Sequence, residues 1–135
     1  MKKFLSCFLV ALLLASSLAV TASAATAPNI TPRSGWNYLD FTLTPGSPAA
    51  RTPVVNANKG FVNCTNSTSS PISCYAGVEA YTSGSWLLYG SSLIPNDGIP
   101  HGSSMVEFPN DLSTRGVIGS SSAVCKASGT YGFYL

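Results

Sequence analysis

The sequence predicts an all-β protein, a small single-domain β-sandwich or partly open barrel. Three observations support this class: short runs of alternating apolar and polar residues, regular separation of those runs by Gly, Pro, Ser and Asn, and no convincing helical period after residue 24. Runs of this kind, about seven to nine of them here, are typical of sandwiches and small barrels. The segment from residue 36 to residue 135 is therefore expected to form the folded domain.

The stretch from Cys74 to Gly90 predicts a β-hairpin. Its first half alternates with the period of two that a pleated strand imposes, and Ser83-Gly84 supplies the turn. A two-residue or a four-residue loop places Tyr81 opposite Trp86, so the side chains divide between two faces. One face carries Tyr75, Glu79, Tyr81, Trp86 and Leu88, and the other carries Ala76, Val78, Ala80, Leu87 and Tyr89.

The charge of Glu79 indicates which face of the hairpin points inward. A buried, unpaired carboxylate costs several kcal/mol, whereas an exposed aromatic cluster costs far less and can serve as a contact. We therefore expect the small residues to face the core. Tyr75, Tyr81 and Trp86 are then at least partly exposed and flank a solvated Glu79.

Shorter signals complete the predicted fold. The alternation from Trp36 to Leu43 predicts the first strand. Turns between strands are expected at Asn58-Lys59-Gly60, at Pro109 and at Ser128-Gly129, because these residue types favour turns. The stretch from Ser91 to Gly102 contains two prolines and is expected to be the longest irregular loop.

Residues 1–24 have the three parts of a secretory signal peptide: a basic start, an apolar run from Phe8 to Ala15, and small residues at 22–24. The apolar run is shorter than the ~20 residues that a membrane span needs, so no transmembrane segment is expected. The mature chain should begin with an extended arm over residues 25–35. The short basic opening indicates a bacterial protein that is secreted to the extracellular space.

Charge excludes nucleic acid as an expected partner. The net charge of +2 comes from the leader, because Lys2 and Lys3 lie there and the remaining basic and acidic residues balance. Binding to a phosphate backbone depends on many Lys and Arg contacts. The charged residues outside the leader are Arg33, Asp40, Arg51, Lys59, Glu79, Asp97, Glu107, Asp111, Arg115 and Lys126.

Three of the four cysteines lie outside the leader, and extracellular thiols tend to pair. We expect a Cys64–Cys74 disulfide, because the polar segment between these two residues could return one strand beside the next. Closing so short a loop contributes about 2–3 kcal/mol in the chain-entropy model. Cys125 is then a free, buried thiol, and a Cys74–Cys125 bridge is the competing arrangement.

No constellation of residues indicates an enzyme. His101 is the one histidine, and the chain lacks a Gly-x-Ser-x-Gly elbow, so a small hydrolase acting through His101 is only an alternative. Glu107, His101 and Arg115 are the residue types of a small nuclease, but the neutral charge argues against it. Neither a metal site nor a cofactor is expected.

The aromatic residues of the hairpin indicate a binding or effector protein rather than an enzyme. Tyr75, Tyr81 and Trp86 around Glu79 are the expected contact surface for a cell-envelope component, a polysaccharide or an extracellular protein. The alternative is an inhibitor of an extracellular hydrolase that inserts the 91–102 loop into a cleft. In general outline, though without a shared motif, the chain resembles small secreted effectors such as lactococcin-type bacteriocins.

Overall fold

The computed structural model describes residues 35–135. The predicted leader and residues 25–34 of the predicted arm lie outside this part of the chain. Residues 35–135 form strands and no helix, which confirms the all-β prediction. The strands are β1 (Trp36–Leu43), β2 (Ala49–Arg51), β3 (Val55–Asn66), β4 (Cys74–Thr82), β5 (Ser85–Ile94), β6 (Pro100–Gly102), β7 (Val106–Gly119) and β8 (Ala127–Tyr134).

The strands form one antiparallel sheet that is not closed, in the order β1-β8-β3-β7-β4-β5. The short strand β6 pairs with β3, and β2 pairs with β7. One end of the sheet is therefore β1-β8-β3-β6 and the other is β2-β7-β4-β5. The two ends pack together as in a small sandwich, because Leu43 of β1 and Ile94 of β5, the two edge strands, are both fully buried in one core cluster.

The two long strands β3 and β7 join the ends of the sheet. The first half of β3 pairs with β7, and its second half pairs with β8. The turn predicted at residues 58–60 is wrong, since these residues lie inside β3. Only a register shift between Ala57 and Lys59 marks the place. Gly60 is needed here for space rather than for a turn, because a Cβ on it would lie 2.8 Å from Cε2 of Tyr131.

Other predicted loop segments also lie in strands. The turn signals at Pro109 and at Ser128-Gly129 fall within β7 and β8. The stretch predicted as a long loop over 91–102 contributes to β5 and β6, and the connection between these strands is tied down. Gly98 N–H donates to the Asn66 carbonyl at 3.0 Å, and Asn96 Nδ2 donates to the Ser70 carbonyl at 2.7 Å. This segment is therefore not the long insertion loop on which the inhibitor alternative depended.

The predicted hairpin is confirmed as β4 and β5. Tyr81 lies opposite Trp86, and Ser83-Gly84 is a two-residue loop. Both loop residues have positive φ, 52° and 86°, as a type I′ turn requires. A register shift beyond Ala76 then displaces the far part of β5 by one residue.

Cys64, Cys74 and Cys125 are buried and free in the structure, so the predicted Cys64–Cys74 disulfide is not formed here. A hydrogen bond between Cys64 and Cys74 raises the pKa of Cys64, with burial acting in the same direction, and lowers the pKa of Cys74. Cys125 Sγ donates to the Ile72 carbonyl at 3.5 Å. Cys64 and Cys74 are thus neighbours, and their oxidation to a disulfide stays a prediction.

Candidate functional site

The sequence-predicted site residues lie together on the outer side of the β4–β5 hairpin. Ala76, Val78 and Ala80 on the opposite side of β4 are fully buried, as expected. Tyr81 is 47% exposed, and Tyr75 and Trp86 are half-buried. Side chains from β2 and β7 complete this surface. We call it the hairpin face, and it comprises Arg51, Tyr75, Glu79, Tyr81, Trp86 and Arg115.

Glu79 departs from the prediction because it is buried, with 9% of its surface exposed, and not solvated. Two guanidinium groups compensate its charge. Arg51 of β2 donates from Nε at 2.9 Å to Oε2 and from Nη2 at 3.0 Å to Oε1. Arg115 of β7 donates from Nε at 2.6 Å to Oε2. The carboxylate is buried without being unpaired, which removes the penalty that the sequence argument assigned to its burial.

The pKa shifts of this cluster follow from the same contacts. Burial alone would raise the pKa of Glu79, but hydrogen bonds and charge from Arg51 and Arg115 outweigh it, and the pKa lies below its ordinary 4.5. The hydrogen bond to Glu79 raises the pKa of Arg51 against the opposing effect of burial. Both shifts favour the charged forms of Glu79 and Arg51, and two guanidinium groups against one carboxylate give the cluster one net positive charge.

The aromatic rings extend this cluster along the hairpin. Cζ of Arg115 lies 4.0 Å from the centroid of the Trp86 ring, within the range of a cation–π contact. The Trp86 ring meets Tyr81 edge to face, with centroids 5.5 Å apart and an angle of 60° between the planes. Arg115 is thus held between a carboxylate and an indole, and the two rings and the charged groups form one connected set of contacts.

Sequence reasoning missed Arg51 and the role of Arg115. Arg51 is the last residue of the three-residue strand β2, where it pairs with Val117 of β7. Arg115, also on β7, lies opposite Glu79 of β4. No local pattern reveals either pairing, because each joins segments distant along the chain. The one available signal is Glu79 itself, since a carboxylate in an apolar strand needs a cationic partner when it is buried.

The residues of the hydrolase and nuclease alternatives are not brought together. His101 Nε2 lies 2.9 Å from Oδ2 of Asp97, Glu107 is paired with Lys59 at 3.0 Å, and Arg115 is paired with Glu79. Within residues 35–135, no group of three His, Cys, Asp or Glu side chains is placed to hold a metal ion. None of these described residues belongs to a helix of the length and apolarity needed to cross a membrane.

Comparison with known proteins gives structural matches only. No protein-family model and no curated protein matches the chain. PirA matches at a TM-score of 0.46 and 15% identity, covering 79% of this chain and all of its own, 100%. The Yersinia pseudotuberculosis-derived mitogen matches at a TM-score of 0.41 and 11% identity, covering 76% of this chain and 88% of its own.

A Bacillus endospore appendage protein, from a family of disulfide-linked pili, matches at a TM-score of 0.39 and 14% identity. The match covers 74% of this chain and 85% of that one. At these identities and TM-scores the similarities carry no information about function.

Proposed function

We propose that this chain is a secreted, non-enzymatic bacterial binding protein that contacts a protein partner through the hairpin face. The observation that supports this most is the position of Arg115, held between Glu79 and the ring of Trp86. Trp, Tyr and Arg are the residue types that dominate protein-binding hot spots. Contacts that are already ordered before binding lose little conformational entropy when the partner arrives.

The surroundings of the cluster favour a protein over a polysaccharide. Leu88 and Leu93 are 44% and 74% exposed on the same side of the hairpin, opposite Glu79 and Tyr75 respectively. Arg115 covers one face of the Trp86 ring, which removes a flat surface that a sugar ring would use. An apolar surface with one net positive charge is complementary to a protein surface of apolar side chains with an acidic group at its rim.

Secretion and the lack of enzymatic activity are parts of the same proposal. The signal-peptide pattern over residues 1–24 supports export. The engagement of His101 in a hydrogen bond with Asp97, and of Glu107 and Arg115 in two separate ion pairs, supports a role without catalysis. Retention of full binding by a His101→Ala variant is the expected result, whereas a hydrolytic activity that this variant loses with unchanged stability would contradict the proposal.

The test is capture of partners from the extracellular and envelope protein fraction of bacteria, with cross-linking to the immobilised protein. Tyr81→Ala is the test variant, and Tyr38→Ala, an exposed tyrosine of β1 at 59%, is the matched control. We expect a protein that the wild type and Tyr38→Ala capture equally and that Tyr81→Ala loses about tenfold. A parallel measurement uses bacterial cell walls stripped of protein.

Two results would overturn the proposed partner class. The first is equal capture of every protein by the wild type and Tyr81→Ala. The second is retention of the wild type by the protein-free walls that is lost in Tyr81→Ala, because it would assign the hairpin face to a polysaccharide instead.

A further inference from the structure

The opposite end of the sheet, β1-β8-β3-β6, carries two rows of polar side chains that run across three strands. The register places Thr42, Ser128 and Thr65 directly beside one another. The adjacent row on the same face, two residues away on each strand, is Asp40, Thr130 and Asn63. Side chains paired in this way stand about 4.5–5.5 Å apart on one face. We call these six residues the polar groove.

The polar groove is concave. It lines two adjoining hollows of about 310 and 370 Å³, which share Thr42, Thr65 and Ser128. Each volume lies at the lower end of the ~300–1,000 Å³ typical of small-molecule sites. Lys126 lines the first hollow, and Asp40 lines the second.

Most hydrogen-bonding groups of the groove are not used within the described part of the chain. Thr130 Oγ1 donates to Oδ1 of Asp40 at 2.6 Å, which orients the carboxylate. Among residues 35–135, no side chain or backbone group bonds Oδ2 of Asp40, the Asn63 amide or the hydroxyls of Thr42, Thr65 and Ser128. The groove therefore presents donors and acceptors together, in the combination that sugar hydroxyls require.

An exposed aromatic cluster continues the same face. We call it the platform, and its residues are Trp36, Tyr38, Phe61 and Tyr134. Tyr38 is 59% exposed, and Trp36 and Tyr134 are 38% and 40% exposed. The ring centroids of Trp36 lie 5.3 Å from those of Phe61 and 5.6 Å from those of Tyr134. Large apolar rings left in solvent as a contiguous patch indicate a contact surface.

Gly132 explains how the platform lies over the sheet. A Cβ on this residue would approach Cε1 of Phe61 to 2.6 Å and Cε1 of Tyr38 to 3.2 Å. The rings from β3 and β1 therefore meet across β8 at a position that has no side chain. Since Gly132 follows Thr130 by two residues, the platform lies directly beside the polar groove, at a distance of about 7 Å along the strands.

We propose that the platform and the polar groove together form a binding site for an uncharged carbohydrate chain. A sugar ring has apolar C–H faces that pack on aromatic rings, and it has hydroxyls at its edge that bond to carboxylate, amide and hydroxyl groups. A nucleic acid is disfavoured because Asp40 would repel its phosphates, and among residues 35–135 Lys126 is the one cation that lines the hollows. Several sugar units fit, because the face spans seven residues of β1 from Trp36 to Thr42, about 20 Å.

The test is co-sedimentation of the full protein with four insoluble polysaccharide preparations: cellulose, chitin, starch granules and protein-free bacterial cell walls. The test variants are Tyr38→Ala, which shortens the platform, and Thr42→Val, which removes one groove hydroxyl and keeps the shape of the side chain. Tyr81→Ala on the hairpin face is the matched control. Thermal unfolding of each variant verifies that it is folded.

We expect at least one of the four polysaccharides to retain the wild type. Tyr38→Ala should weaken retention about tenfold, and Thr42→Val about threefold to fivefold, as the loss of a stacking contact and of one hydrogen bond imply. Tyr81→Ala should bind like the wild type. Retention should change by less than about twofold between ~0.05 M and ~0.5 M NaCl, because an uncharged ligand is not screened.

Three outcomes would overturn this site. They are failure of all four polysaccharides to retain the wild type, equal retention of the wild type, Tyr38→Ala and Thr42→Val, and a steep loss of retention with salt. None of them bears on protein capture by the hairpin face, so the two proposals fail separately.

Discussion

The hairpin face and the face formed by the platform and polar groove lie at the two ends of one sheet. They differ in how far their polar groups are paired within the protein. On the hairpin face, Glu79 is saturated by Arg51 and Arg115, and Arg115 is stacked on Trp86. On the other face, no group within residues 35–135 bonds Oδ2 of Asp40, which lies among exposed hydroxyls. Internal pairing makes a surface rigid, whereas unused donors and acceptors beside aromatic rings leave it ready for a polar ligand.

The largest expected effect on stability comes from removing a buried ion pair, compared with removing an exposed one. Glu79→Ala leaves two arginines at a partly buried position without their counter-ion, and we expect a loss of about 2–3 kcal/mol in the free energy of unfolding, measured in urea. Glu107→Ala is the matched control, because its pair with Lys59 is exposed. We expect the control to lose about 0–1 kcal/mol. Equal losses in the two variants would show that burial adds nothing to the Glu79 cluster.

The next effect concerns the platform. In Gly132→Ala the new methyl group would collide with the Phe61 ring, so the ring must shift, and we expect a cost of about 1–3 kcal/mol in urea unfolding. Carbohydrate retention should fall with it, whereas capture of a protein by the hairpin face should not change. Unaltered retention in a folded Gly132→Ala variant would show that the platform geometry is not needed.

A pH series tests the ionisation of Glu79 on the hairpin face. The pKa of Glu79 is lowered on folding, so its ionised form adds stability that is fully present above the unfolded-state value of 4.5 and is lost as pH falls through the folded-state value. The stability difference between the wild type and Glu79→Gln should therefore be constant near neutral pH and shrink below about pH 4.5. Urea unfolding at several pH values measures it, and a difference that does not vary with pH would contradict the lowered pKa.

The smallest effect on stability should come from the matched tyrosines. Tyr81→Ala and Tyr38→Ala each remove an exposed ring from a strand, and we expect less than about 1 kcal/mol for either in thermal unfolding. Their effects on binding should differ. Tyr81→Ala should weaken only the capture of a protein, and Tyr38→Ala should weaken only the retention by a carbohydrate. A larger destabilisation in one of them would mean that its ring contributes to packing as well as to contact.

Prediction from the sequence succeeded where neighbours in the chain are also neighbours in space. The β4–β5 hairpin could be placed from its alternation and from Ser83-Gly84, because a two-residue loop determines which residues lie opposite each other. The same register placed Tyr81 opposite Trp86, whereas the exposure of Tyr81 was predicted from the charge of Glu79. The turn at residues 58–60 was predicted wrongly, because Asn-Lys-Gly has turn composition while pairing with β7 and β8 keeps this segment extended.

The sequence by itself determined the all-β class and the hairpin, since these depend on periodicity and on local turn chemistry. The side of β4 that faces the core was predicted correctly from the charge of Glu79, although Glu79 itself is buried. Only the tertiary structure decided that Glu79 is buried, because Arg51 and Arg115 reach it from strands 28 and 36 residues away. The same holds for the platform, where Tyr38, Phe61 and Gly132 come from three strands whose register is set by long-range pairing. Long-range register depends on how the whole core packs, and no short stretch of sequence records it.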